Sequence, residues 1–135
     1  RLYREAPVNS IWEGSGNVMC LDVLRALEKD GGEVAAVLGG FENDGRGDSR
    51  LTAALEAVMD VLSDPARAVA EARFAVEQIA LLCAASLLRE HAPEEISETF
   101  IASRLAGRFR HTYGTFGGMA GSIPAPRILE RVLPE

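Results

Sequence analysis

What the sequence lacks narrows its reading first. A single lysine, Lys29, stands beside thirteen arginines and twenty alanines. That skew reads as a compositional bias of the source genome, so arginine alone does not point to function. Two cysteines, Cys20 and Cys83, lie in apolar stretches and read as small buried hydrophobes of a reducing, cytoplasmic compartment. Two histidines, His91 and His111, lack the cysteine or carboxylate spacing of a metal site, so no metal is expected. No apolar run approaches the roughly 18–20 residues of a membrane span, and no membrane role is expected. No segment alternates in twos with β-branched enrichment, which argues against strands. The chain opens on Arg1 without the pattern of a signal peptide, and reads as a piece of a longer polypeptide.

What is present is 135 residues and 14.5 kDa, 47% hydrophobic and 25% charged, enough for one soluble core. The net charge of −6 is uneven: residues 41–99 carry −7, whereas residues 100–135 carry +3. An acidic chain is a poor general nucleic-acid binder, and only its last quarter offers an anion-facing surface.

Helical periodicity dominates. Val18 to Lys29 is strongly apolar, with Asn17 placed to cap it, Leu21, Leu24 and Leu27 available for packing, and Gly31-Gly32 to end it. Glu33 to Leu38 supports one or two helical turns, and the four glycines between Gly39 and Gly47 read as a loop. Asp48 or Ser49 caps a helix carrying Leu51, Leu55, Val58, Met59 and Leu62. Asp64-Pro65 restarts a helix running to about Glu90, with stripes Val69/Ala72/Val76/Ile79/Cys83 and Phe74/Leu81/Leu88 that fit packing on two sides. Pro93 opens another, with Glu94 and Glu95 in its first turn and Ile96, Phe100, Ile101 and Leu105 on its buried side. Glycines 114, 117, 118 and 121 form a loop before a last short helix near Ile128 to Leu133. The expected architecture is all-α, an antiparallel helical bundle.

The chemistry concentrates in Ile11-Trp12-Glu13-Gly14-Ser15-Gly16-Asn17. A carboxylate at a turn, behind an aromatic and ahead of glycines, suits a base acting on a bound ligand. Gly14 and Gly16 let backbone approach that ligand, and Trp12 excludes water, raising the pKa of Glu13. The helix starting near Asn17 aims its positive end at the same place, suiting an anion or an electron-rich ring oxygen. By spacing alone, an acidic residue at a helix start is equally a structural cap. Arg25 lies roughly 12 Å along that helix, either paired with Asp22 or Glu28 or facing a ligand channel.

These residues carry a resemblance. Ile11 to Ser15 is similar to the I-Y-E-G-T motif of acyl-CoA dehydrogenases, and residues 4–28, from Arg4-Glu5-Ala6-Pro7-Val8-Asn9-Ser10 through Val18-Met19-Cys20-Leu21-Asp22-Val23-Leu24-Arg25, resemble their AidB-like, alkylation-response branch more closely. Residues beyond that stretch match only as a helical extension of suitable length. The resemblance implies an FAD oxidoreductase in which a glutamate takes the acyl-CoA α-proton while the β-hydride goes to flavin. It implies Glu13 as that base, Gly14 and Arg25 at the acyl-CoA substrate, and Ile11, Trp12, Ser15, Gly16 and Asn17 at the cofactor. It divides the chain into residues 1–30, ending the dehydrogenase-type helical domain, and a helical extension over 31–135. It also implies a homotetramer, and a short chain that is catalytically silent by itself. Trp12, Ser15 and the Gly16-Asn17 pair depart from the wider family as its AidB-like members do, which questions ordinary fatty acyl-CoA as substrate more than flavin binding.

Two other functions stay open. The AidB-like branch is associated with double-stranded DNA, for which Arg104, Arg108 and Arg110 are the candidate contacts, although no DNA-reading motif accompanies them. Those arginines also suit solvating a helix or pairing with Glu98 or another chain. Finally, the whole segment suits a purely structural, oligomer-forming role.

Overall fold

A computed structural model describes residues 16–106 and 125–132. Seven helices make up the described residues: α1 (Gly16–Lys29), α2 (Gly31–Asp44), α3 (Ser49–Leu62), α4 (Pro65–Ala70), α5 (Ala72–His91), α6 (Glu94–Arg104) and α7 (Ala125–Val132). No strand occurs among them, and the bundle is all-α as the periodicity predicts. None of these helices is long and apolar enough to cross a membrane.

Helix α5 is the axis, touching α1, α2, α3, α4 and α6. Its buried line is Ala72, Ala75, Gln78, Leu82 and Ala85. Three alanines in that line let neighbouring helices approach closely. The expected stripes flank this line: Phe74, Val76, Ile79 and Cys83 are half-buried, and Val69 is 61% exposed. The main core joins Phe41, Leu51, Ala54, Val58, Leu82, Ala85, Ile101 and Leu105 from α2, α3, α5 and the end of α6. A smaller core around Leu24, Ala68 and Ala72 seats α1 against α4 and α5, with Cys20, Leu21, Leu27 and Leu62 packed beside it.

Three local expectations need correction. The glycine-rich stretch from Gly39 is helical as far as Asp44, leaving only residues 45–48 as a turn. Each helical glycine costs about 1 kcal/mol relative to alanine. Burying Phe41, 7% exposed, returns about 1.5–3 kcal/mol and carries the half-buried Leu38 with it. The turn itself does need glycine. Gly47 adopts φ 85°, and a Cβ on Gly45 would sit 3.1 Å from the Phe41 carbonyl oxygen. Second, Gly31-Gly32 opens α2 instead of ending α1. The joint is Asp30 alone, whose N–H reaches Ala26 O at 3.1 Å while its own carbonyl accepts from Glu33 and Val34. Third, the helix expected from Pro65 to Glu90 breaks at Glu71, where φ −106° and ψ 20° leave the helical region.

The other punctuation is as expected. Asp48 caps α3, and Asp64 Oδ1 accepts from the backbone of Ala66 and Arg67 ahead of α4, with Pro65 in its first turn. On α3 the buried face is Leu51, Ala54, Val58 and Val61, which turns Met59 outward.

Candidate functional site at the amino end of helix α1

Ile11, Trp12, Glu13, Gly14 and Ser15 lie outside the described residues, as do Arg108 and Arg110. The described part of the motif is Gly16 and Asn17, both exposed in the first turn of α1. Asn17 sits inside the helix rather than capping it. Its Oδ1 accepts from Arg73 Nε at 2.6 Å, a contact spanning 56 residues. Arg73 belongs to the first turn of α5, so two helix amino ends meet here. Neither first turn contains an acidic residue.

Unpaired N–H groups and the aligned peptide dipoles make each of these ends electropositive. The Arg73 guanidinium adds a full charge. Glu71, just ahead of α5, is turned to Arg67 at 2.7 Å and does not cap α5 through its side chain. A Cβ on Gly16 would meet no described atom within 4 Å. The arrangement gives a positive potential suited to an anionic or electron-rich group. Arg25 stands farther along α1 with its side chain 72% exposed, and its Nη1 reaches Asp22 Oδ1 at 2.5 Å. Arg104 closes α6 half-buried, on a different element from the α1 turn.

A second polar cluster escaped the sequence reading. Asp48, 8% exposed, accepts from the Arg50 backbone N–H at 3.0 Å, from Arg50 Nε at 2.9 Å and from Arg50 Nη2 at 2.6 Å. Arg89 Nη2 also donates to Asp48, while Arg89 Nη1 donates to the Asp44 carbonyl at 2.8 Å. Glu98 completes the cluster, 2.7 Å from Arg50 and 3.6 Å from Arg89. Hydrogen bonds from Arg50 hold the Asp48 carboxyl well below the usual carboxylate range, although burial opposes them, and Arg89 adds to the effect. The same pairing raises the Arg50 guanidinium further. Two cations and two carboxylates satisfy one another, so the cluster ties α2, α3, α5 and α6 together and offers no open anion site. Only Asp48 was legible beforehand, as a cap; Arg89 and Glu98 reach it through the folded chain.

Burial pushes the Cys83 thiol up, which disfavours the thiolate and fits a packing role.

No family model matches the chain, and no solved structure matches it. It is 43% identical over 94 residues to the Escherichia coli (strain K12) protein named "Putative acyl-CoA dehydrogenase AidB". The match takes in 69% of this chain, which spans 17% of that relative's length. The match is longer than the stretch of residues 4–28 that carries the motif. By this similarity the chain belongs to the AidB-like branch of the acyl-CoA dehydrogenases.

Proposed function

We propose that the chain contributes the last active-site turn of an FAD-dependent acyl-CoA dehydrogenase-like oxidoreductase. Residues 1–30 carry that turn and its helix, and residues 31–135 form a helical extension. The family membership carries this reading. The paired amino ends of α1 and α5, with no described atom crowding Gly16 and Asn17 held by Arg73, support it by suiting an electron-rich ring edge or a phosphate.

Glu13 is the base in this reading: its carboxylate takes the proton from the carbon next to the thioester carbonyl. Trp12, its neighbour in sequence, serves in this reading to keep water from the carboxylate, which favours proton abstraction. The Gly14 backbone lies against the acyl-CoA thioester, where a side chain would obstruct it. Ile11, Trp12, Ser15, Gly16 and Asn17 hold the cofactor edge, with the Asn17 amide nitrogen left to donate while its oxygen is engaged by Arg73. Bound FAD supplies the acceptor for the hydride leaving the β-carbon. Arg25, exposed and paired with Asp22, serves at the mouth of the acyl channel, where its charge disfavours long apolar chains. Assembly as a homotetramer completes the site.

The experiment is direct: the protein that carries this chain, purified as its gene encodes it, retains FAD and shows a flavin absorption spectrum. Colourless protein that takes up no added FAD overturns the reading.

A second reading, DNA binding through Arg104, Arg108 and Arg110, draws on the +3 charge of residues 100–135. Against it, the described bundle is strongly acidic. This reading requires binding to double-stranded DNA that weakens steeply with salt and falls when the three arginines are replaced.

A further inference from the structure

Helix α2 is incompletely covered. Cavities of about 220, 360 and 530 Å³ lie along it, and all three touch Val34 and Leu38. Leu27 and Leu62 line two of them, as Met59 does. Around these cavities Val37, Met59 and Val69 are 50%, 48% and 61% exposed. The result is an apolar groove formed by α2 with α1, α3 and α4. Its rim is acidic, with Glu28, Asp30, Glu33, Glu42 and Glu56 all among the lining residues. None of the five pairs with a described cation.

Helix α7 has the complementary character. Ile128, Leu129 and Val132 share one face at helical spacing, bordered by Arg131, with Arg127 and Glu130 on the opposite side. Nothing on α7 is buried, and Leu129 and Val132 are 55% and 66% exposed. Arg127 pairs with Glu95 at the start of α6, which tethers α7 by charge while leaving its apolar face open. Arg131 pairs with no described carboxylate.

One chain thus presents an amphipathic helix with one unpaired arginine and an apolar face that no described residue buries, and an apolar groove with an acidic rim. We propose that α7 of one copy docks in the α2 groove of a second copy, and that the exchange is reciprocal about a two-fold axis. Leu129 and Val132 fill the cavities beside Val34 and Leu38, and Arg131 meets the carboxylates of the rim. Charge complementarity supports this occupant: five rim carboxylates without a described cationic partner face a helix whose Arg131 has no described carboxylate partner. Two identical contacts form at once, so the second is intramolecular after the first.

Sedimentation velocity of the 135-residue chain across a concentration series tests this. The expected result is a monomer–dimer equilibrium that weakens with salt. Leu129→Glu on the helix and Val37→Glu in the groove each raise the dissociation constant by about tenfold or more. Both side chains are at least half exposed, so circular dichroism keeps the helical signature of the parent chain. Mixing the two variants one to one restores part of the association, because one intact helix and one intact groove remain. Arg131→Glu weakens the dimer and Glu33→Arg in the same chain recovers it. A chain that stays monomeric at every concentration overturns the proposal and leaves the groove to another segment or protein. A dimer indifferent to either the helix or the groove substitution overturns it as well.

Discussion

Arg73 Nε donates to Asn17 Oδ1 at 2.6 Å and thereby holds the first turns of α1 and α5 together across 56 residues of sequence. This contact makes two helix ends into one electropositive corner. Removing it with Arg73→Ala costs little stability, within about 1 kcal/mol, because the pair is exposed. Cofactor retention by the intact protein falls by about fivefold, the value of one such hydrogen bond. Thermal unfolding and FAD titration measure the two effects separately.

Asp48 is the residue whose loss the bundle tolerates least among its polar groups. Asp48→Ala removes the α3 cap and leaves Arg50 and Arg89, about 30% and 27% exposed, with Glu98 as their shared carboxylate. The expected loss is about 2–3 kcal/mol, read from urea unfolding: roughly 1 from the cap and the rest from the broken pairs.

The same group gives the acid limb of stability. Its folded pKa is depressed, so its contribution is complete above the ordinary carboxylate range and is lost as the pH falls below about 4. Asp48→Asn should flatten the stability profile between about pH 5 and pH 2. An unchanged slope there contradicts the role assigned to the cluster.

Gln78 makes the opposite prediction. It is 2% exposed in the middle of α5, and its Nε2 has no hydrogen-bond partner among the described residues. Replacing it with methionine keeps the volume and removes the unmet donor, so stability rises by about 1–2 kcal/mol. Destabilisation on calorimetry would mean that the amide holds something the fold requires.

The elements legible in the sequence are those written in local chemistry. Asp64-Pro65, Asp48 before α3 and Pro93 before α6 each act on their own helix end, and each stands where expected. One misread segment is α2, where local propensity and tertiary packing disagree. Gly39 and Gly40 argue for a loop, and Phe41 reverses that by its place in the main core. Met59 on α3 likewise has the right period but the wrong face, because alanine at 54 and valine at 61 take the inward positions. At the candidate site, Asn17 was legible through the motif. Arg73 was not, since no spacing rule links residues 56 apart. The Asp48–Arg50–Arg89–Glu98 cluster escaped notice for the same reason.

The double-stranded DNA reading has its own outcome. Replacing Arg104, Arg108 and Arg110 together lowers affinity, and reduces the slope of log affinity against log salt by about 0.9 for each phosphate no longer neutralised. Absent or salt-insensitive binding removes that reading and leaves the dehydrogenase-like one untouched.

Acyl-CoA-dependent bleaching of the flavin absorption band, compared between the gene-encoded protein and its Glu13→Gln variant, is the most direct test of the catalytic assignment. The assignment predicts a bound flavin in both proteins, bleaching in the parent, and a rate about a hundred- to ten-thousand-fold lower in the variant. Equal bleaching rates in the two proteins would contradict it.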